Sequence, residues 1–311
     1  MSAARRTRAR GPIVLALPEN ARLASALARR LGVPRGGRVV RRFPDGETYV
    51  RVRTPVRGRD VVLVCTLDRP DERTLPALLL AATVRDLAAR SVGLVAPYLA
   101  YLRQDARFAP GEGVTSTYFA RLVSSAVDWV VTVDPHLHRH HTLDAVYAIP
   151  ARALTAAPRI AAWIARHVER PLVLGPDAES AQWAEAVASA RGLPRVILEK
   201  VRRGDRDVGI SAPDLARWRG RTPVLVDDII STARTMIATV RQLRRARLAP
   251  PVCIGVHAVF AAGAYDELCA AGVARVVTCN TIAHASNAID VADVLATGVR
   301  QLLRAPRRRR G

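Results

Sequence analysis

Lysine is all but absent from this chain of 311 residues. Of its 48 basic residues, 47 are arginine, and the one lysine is Lys200. A skew of that size follows the base composition of a genome and assigns no function. It does mark one position, because a compact, strongly hydrated ammonium does things a guanidinium cannot. Aromatics are also scarce, at 5%, so any core is aliphatic. The four cysteines, Cys65, Cys253, Cys269 and Cys279, form no CxxC pair and mostly lie in apolar runs. That excludes a disulfide framework and predicts reduced core thiols in a cytoplasmic protein. Long hydrophobic runs are missing. The longest uncharged stretch, Leu248 to Tyr265, holds two Pro, two Gly and a His, which suits a buried strand with flanking turns and not a membrane span. Behind Arg5, Arg6, Arg8 and Arg10, the apolar run Ile13 to Leu17 is too short for a signal peptide. No GxGxxG follows a strand and there is no GxxxxGK, so the usual dinucleotide and P-loop readings fail.

What is present is a globular composition, 50% hydrophobic and 24% charged, with a net charge of +21. The length suits two domains of about 150 residues. Four arginines sit in the head and four more, Arg307 to Arg310, in the tail. The segments 1–10 and 306–311 read as solvated, disordered basic arms able to bind nucleic acid only weakly and without specificity. The body still carries +13 without these eight, a field that steers small anionic substrates such as phosphates.

Short β-rich runs alternate with helical ones. Strands are expected at Pro12–Leu17, Glu47–Val52, Asp60–Cys65, Ser91–Ala96 and Trp129–Val133, and helices at Glu72–Arg90 and Thr115–Ala126. Asn20 is placed as the N-cap of a helix with Leu23, Leu27 and Leu31 on one face. Residues 141–158 read as an interdomain passage. The second half repeats the scheme, with strands at Pro171–Leu174, Val196–Leu198, Pro223–Val226, Val252–Phe260 and Val276–Cys279. Its helices are expected at Glu179–Ala190, Thr232–Arg247, Tyr265–Ala271 and Asp290–Arg304. Alternating βα units predict parallel sheets covered on both faces. The similarity of the halves hints at an internal duplication.

The most informative stretch is TPVLVDDIISTARTMIATV. An apolar strand, Val224 to Val226, leads to Asp227 and Asp228. Small and hydroxylated residues follow (Ser231, Thr232, Ala233), then Arg234, Thr235 and a helix. Backbone N–H groups at such a helix start converge on an anion. Paired acids suit ribose hydroxyls or a hydrated Mg²⁺. The bland alternative is an ordinary strand-to-helix turn.

VDDIISTART resembles the ribose-5-phosphate loop of type I phosphoribosyltransferase folds. Five further stretches, RRFPDGETYVRV, PYLAYLRQDARFAPGE, VVTVDPHLHRHH, VLGPDAES and LEKVRRGDRDV, follow in the order found in ribose-phosphate diphosphokinases, which make phosphoribosyl diphosphate (PRPP). The resemblance runs from about Ile13 to Arg304. It implies an α/β fold of two type I phosphoribosyltransferase-like domains, each a mainly parallel sheet flanked by helices, at 1–149 and 150–311. It implies transfer of the diphosphoryl group of ATP to C1-OH of ribose 5-phosphate, with Mg²⁺ as cofactor, and a homo-oligomer without membrane association.

Residue by residue, the resemblance implies Lys200 and Arg202 as the catalytic pair. Phe43, Asp45, Glu47, Arg103 and Gln104 would bind ATP, with Asp105 and Arg107 as weaker candidates. Asp227, Asp228, Ser231, Thr232, Ala233, Arg234 and Thr235 would bind ribose 5-phosphate, and His136 and Asp177 the metal. His138, His140 and His141 read as surface histidines and not a zinc cluster. Arg234 stands where the family loop usually has Gly, Ser231 replaces a common acid, and Glu179-Ser180 replaces frequent glycines. Two other functions stay open: a related diphospho- or phosphoribosyl-transferase using a different sugar phosphate or donor, and a non-catalytic regulatory paralogue.

Overall fold

The computed structural model describes residues 11–137, 139, 142–177, 180–203, 207–211 and 215–305. The chain forms two compact units. One comprises Met1–Leu154 with Ala292–Gly311, the other Thr155–Val291.

In the first unit, strands β1 (Ile13–Ala16), β4 (Asp60–Val64), β5 (Ser91–Val95), β6 (Trp129–Val133) and β7 (Ala151–Leu154) make a parallel sheet in the order β1-β4-β5-β6-β7. Apart from β7, every residue of these strands is buried, as a sheet covered on both faces requires. Helices α1 (Ala21–Leu31), α2 (Pro70–Asp86) and α3 (Thr115–Ala126) connect them. Gly93 on β5 leaves room for the Trp129 indole of β6, into which a Cβ would collide. An antiparallel hairpin, β2 (Arg38–Arg42) and β3 (Thr48–Val52), is inserted between β1 and β4.

The second unit repeats this plan. Strands β8 (Pro171–Gly175), β9 (Arg195–Ile197), β12 (Thr222–Ile230), β13 (Val252–Ala258), β14 (Arg275–Cys279) and β15 (Asn287–Ile289) form a parallel sheet ordered β15-β14-β13-β12-β8-β9. Helices α4 (Ala157–His167), α5 (Ala181–Ser189), α6 (Arg234–Arg245) and α7 (Ala264–Ala270) accompany it. Its inserted antiparallel hairpin is β10 (Glu199–Arg203) with β11 (Asp207–Ser211). Matching β1 to β8, β4 to β12 and so on to β7 and β15 superposes one strand order on the other. Even β9 has a remnant in the first unit, a single parallel bridge from Arg35 to Val14. The duplication that sequence only hinted at is thus visible in topology.

The helices beyond the last strands are exchanged. Helix α4 follows β7 in sequence but packs with α5 and β15. The final helix, α8 (Ala292–Arg304), follows β15 but packs on α1, β6 and β7. Gly298 makes the second contact close. A Cβ there would lie 2.7 Å from Leu154 Cδ1 and 3.1 Å from Val131 Cγ1. Arg30 of α1 pairs with Asp293 of α8.

Several expectations shift. Residues 151–154 of the expected interdomain passage are the fifth strand of the first sheet, and α8 belongs with the first unit, so a division into 1–149 and 150–311 misplaces both. Strand β2 and helix α4 were not foreseen. Asn20 precedes α1 but makes no capping bond. Instead its Oδ1 accepts from the Thr66 N–H at 3.1 Å, stitching β1 to β4. Cys65, Cys253 and Cys279 are buried as expected, whereas Cys269 is exposed on α7. No helix among the described residues is long and apolar enough to cross a membrane.

Candidate active site

Ligands of open α/β sheets settle at the carboxyl ends of the strands, where the strand order reverses. In the second unit that point lies between β8 and β12, and the predicted acids converge on it. Strand β12 does not stop at Val226. It continues to Ile230 and pairs with β13 through Asp227↔Gly255, Ile229↔His257 and Ile230↔Ala258. The two carboxylates are therefore held by a sheet and not by a loop. Asp227 Oδ1 accepts from the Asp228 N–H at 3.0 Å, and Asp228 Oδ1 from the Ile229 N–H at 2.7 Å. Asp228 is 4% exposed.

Burial pushes the Asp227 carboxyl well above the usual carboxylate range, and the neighbouring Asp228 and Asp177 push it further. Asp177 thus faces the same pocket of charge from the end of β8. Its turn is closed by Ser180. The Ser180 N–H donates to Asp177 Oδ1 at 3.0 Å, and the Ser180 hydroxyl donates to the Asp177 carbonyl at 2.7 Å while accepting from the Asp177 N–H at 3.1 Å. Ser180, one of the departures noted above, is fully buried. Three acids crowded together favour a ligand that donates hydrogen bonds or carries positive charge. Among the described residues, no set of three His, Cys, Asp or Glu has the spacing of a closed metal site.

Past β12, Ser231, Thr232 and Ala233 turn the chain into α6. Ala233 takes the left-handed conformation (φ 56°), which costs a residue with a Cβ about 1 kcal/mol and is a mark of functional turns. Arg234 does not crowd this turn. Its side chain lines a separate groove with Ile237, Arg241 and Glu267. Thr235 begins the helical ladder, its carbonyl accepting from the Thr239 hydroxyl at 2.9 Å. Lys200 and Arg202 are alternate positions of β10, paired with Ile210 and Val208 of β11, so the expected catalytic loop is an antiparallel hairpin.

In the first unit the other candidates occupy two places. Phe43, Asp45 and Glu47 form the tip of the β2–β3 hairpin. Phe43 N–H donates to the Glu47 carbonyl at 2.8 Å, and Glu47 N–H to Asp45 Oδ1 at 3.1 Å. The turn places Gly46 at φ +93°, which a side chain would oppose. Phe43 is 39% exposed, with the Arg41 guanidinium 4.6 Å from its ring centre. Arg103 and Gln104 lie in the loop after β5, and His136 in the loop after β6. Asp134, which sequence reasoning passed over, opens that second loop with a positive φ of 35°. A readable signal was there: an acid before Pro at the end of an apolar strand. His138, His140, His141 and Glu179 lie outside the described residues, as do the two arms.

Residues 13–126 match the sequence model for the N-terminal domain of ribose phosphate pyrophosphokinase, and residues 142–294 that for the phosphoribosyl transferase domain. A ribose-phosphate pyrophosphokinase of Methanopyrus kandleri is 35% identical over 292 residues, covering 93% of this chain and 99% of the relative.

The chain belongs to the ribose-phosphate pyrophosphokinase family.

Another pyrophosphokinase of the family, from Sulfurisphaera tokodaii, is 31% identical over 81% of this chain and 87% of its own length. The crystal structure of phosphoribosylpyrophosphate synthetase from Mycobacterium smegmatis shares the fold, with a TM-score of 0.82 at 24% identity over 94% of this chain and 98% of that one. The acid pair belongs to one half of the duplication: β12 carries Asp227-Asp228, whereas its counterpart β4 runs out into Cys65-Thr66.

Proposed function

We propose that the chain moves the β,γ-diphosphoryl group of ATP onto the C1 hydroxyl of ribose 5-phosphate. A bond forms between the C1 oxygen and the β-phosphorus, the α,β-bridge breaks, and AMP leaves. The observation that carries this reading is the crowding of Asp228 and Asp177 around the buried Asp227. A carboxyl held high by burial and by two other acids, on a strand running into a small hydroxylated turn, is matched by ribose hydroxyls on one side and a phosphate on the other. Asp227 and Asp228 take the hydroxyls; Ser231 to Thr235 take the 5-phosphate through backbone N–H groups and side-chain hydroxyls.

Lys200 and Arg202 stabilise charge on the transferring group, since phosphoryl transfer is governed by positioning and electrostatics. Phe43, Asp45, Glu47, Arg103 and Gln104 form the ATP side. Asp45 already spends one oxygen on its own turn, which leaves the other for the nucleotide. Mg²⁺ suits Asp177 by donor type: a carboxylate would offer oxygen to a cation that prefers it. His136 is a poorer direct ligand for so hard an ion and would reach it through water. When bound, the ion neutralises the phosphate charge. Family resemblance further supports a cytoplasmic homo-oligomer.

Purified protein with ribose 5-phosphate, ATP and Mg²⁺ is expected to yield AMP and a 1-diphosphorylated product in equal amounts. ADP in place of AMP would indicate a simple kinase, and no turnover a regulatory protein. Lys200→Arg keeps the charge but is expected to lower kcat about a hundred-fold or more, with little change in the KM for ATP. Near-normal turnover would remove Lys200 from the chemistry.

A further inference from the structure

We propose that Arg139 is a positioning residue for the nucleotide, fastening the loop that carries Arg103 and Gln104 to the loop that carries His136. The inference rests on the reading of those residues as the ATP side.

The loop after β5 is internally braced. Glu112 Oε2 accepts from the N–H groups of Phe108 and Ala109 at 2.7 and 3.1 Å. The Arg107 Nε–H donates to the Glu112 carbonyl at 3.1 Å, and the Ser116 N–H to the Gln104 carbonyl at 3.3 Å. These bonds fix the loop's own shape but not its relation to the loop after β6. Arg139 supplies that relation twice. Its guanidinium donates to Asp105 Oδ1 at 2.7 Å, and it lies over the Phe108 ring at 4.9 Å.

The two contacts share one guanidinium, so a single residue ties both Asp105 and Phe108 to the loop after β6. Only a guanidinium does this. A compact ammonium can pair with Asp105 but does not also spread across to the Phe108 ring. The Asp105 side chain is 6% exposed while that of Arg139 is 54% exposed. The pair is therefore asymmetric. Removing Arg139 strands a nearly buried carboxylate, which must then move towards water to be solvated. Asp105 directly follows Gln104, so its displacement carries Gln104 and Arg103 with it.

The test compares Arg139→Ala, Arg139→Lys, Asp105→Asn and the Arg139→Ala/Asp105→Asn double variant. Two readouts are used: steady-state constants, and equilibrium binding of α,β-methylene ATP with Mg²⁺. Arg139→Ala is expected to weaken the analogue and raise the KM for ATP by about ten-fold, with the KM for ribose 5-phosphate unchanged. Arg139→Lys is expected to fall between. The double variant should bind the analogue no worse than Arg139→Ala alone, since the carboxylate it neutralises is the one left stranded. Unchanged analogue binding, equal shifts in both KM values or simply additive losses would overturn the proposal. So would failure of the unaltered protein to bind the analogue. Binding without AMP formation would instead overturn the assigned reaction and leave Arg139 to be judged on binding alone. Should the Ala variant unfold, as thermal melting would report, the Lys variant decides.

Discussion

A carboxyl whose pKa is pushed upward stands near the end of β12. Burial, then Asp228 and Asp177, raise the Asp227 pKa. As pH climbs past the ordinary carboxylate value of about 3.9, the unfolded chain gives up this proton while the folded chain holds it. Stability therefore falls through the window up to the raised value and is level above it, at about 1.4 kcal/mol for each pH unit of the window. Asp227→Asn abolishes the effect. The variant is expected to melt higher than the parent at pH 7 and to match it near pH 3. It should also lose turnover and the gain in Tm that Mg²⁺ and ribose 5-phosphate give the parent. A variant that melts lower at pH 7 would show that the carboxylate is already compensated within the protein.

The elements show what sequence can and cannot display. Strand β6 and helix α3 occupy the spans expected from their residues, Trp129–Val133 and Thr115–Ala126, because an apolar run or a 3.6-residue periodicity is a local signal. Strand β2 was missed because RVVRR holds three arginines and only two apolar residues. It pairs in a two-stranded ribbon in which Arg41 and Arg42 stay exposed while the Arg38 guanidinium is held by the Ala16 carbonyl. Helix α4 was missed because its start falls in 141–158, read as an interdomain passage, whereas Pro158 in the first turn favours a helix start. The candidate acids were found by type and spacing, but their place inside β12 was not. Nothing local announces that a sheet will carry two carboxylates past the end of its apolar core.

Gly93 gives an element-scale test. Its missing Cβ is the space that the Trp129 indole fills. Gly93→Ala forces the indole out of the β5–β6 layer, at a cost of about 3 kcal/mol, read as a lower denaturant midpoint with the slope preserved. Combining it with Trp129→Phe should recover part of the loss. If Gly93→Ala alone melts like the parent, the close packing of these strands is wrong.

At the scale of the whole molecule, the exchange of α4 and α8 is the feature no local reading could supply. Which sheet a helix covers is decided by packing, not by its neighbours in sequence. Deleting residues 292–311 removes from the first unit the helix that Val131 and Leu154 pack against, although the deleted segment follows the second unit. Hydrogen exchange of the shortened chain is expected to show protection lost across 13–154 and kept across 155–291. Retained protection in both would mean that α8 is dispensable to the sheet it covers.

That connectivity also has a direction in time. A chain leaves the ribosome from its N-terminus, and domains generally fold as units while synthesis proceeds. Here the first unit to emerge cannot be the first to finish. Its five strands must wait with one flank uncovered while all of 155–291 is translated, and they close only when the 13 residues of α8 arrive at the end. A stall anywhere in the second half leaves a waiting apolar face in the first.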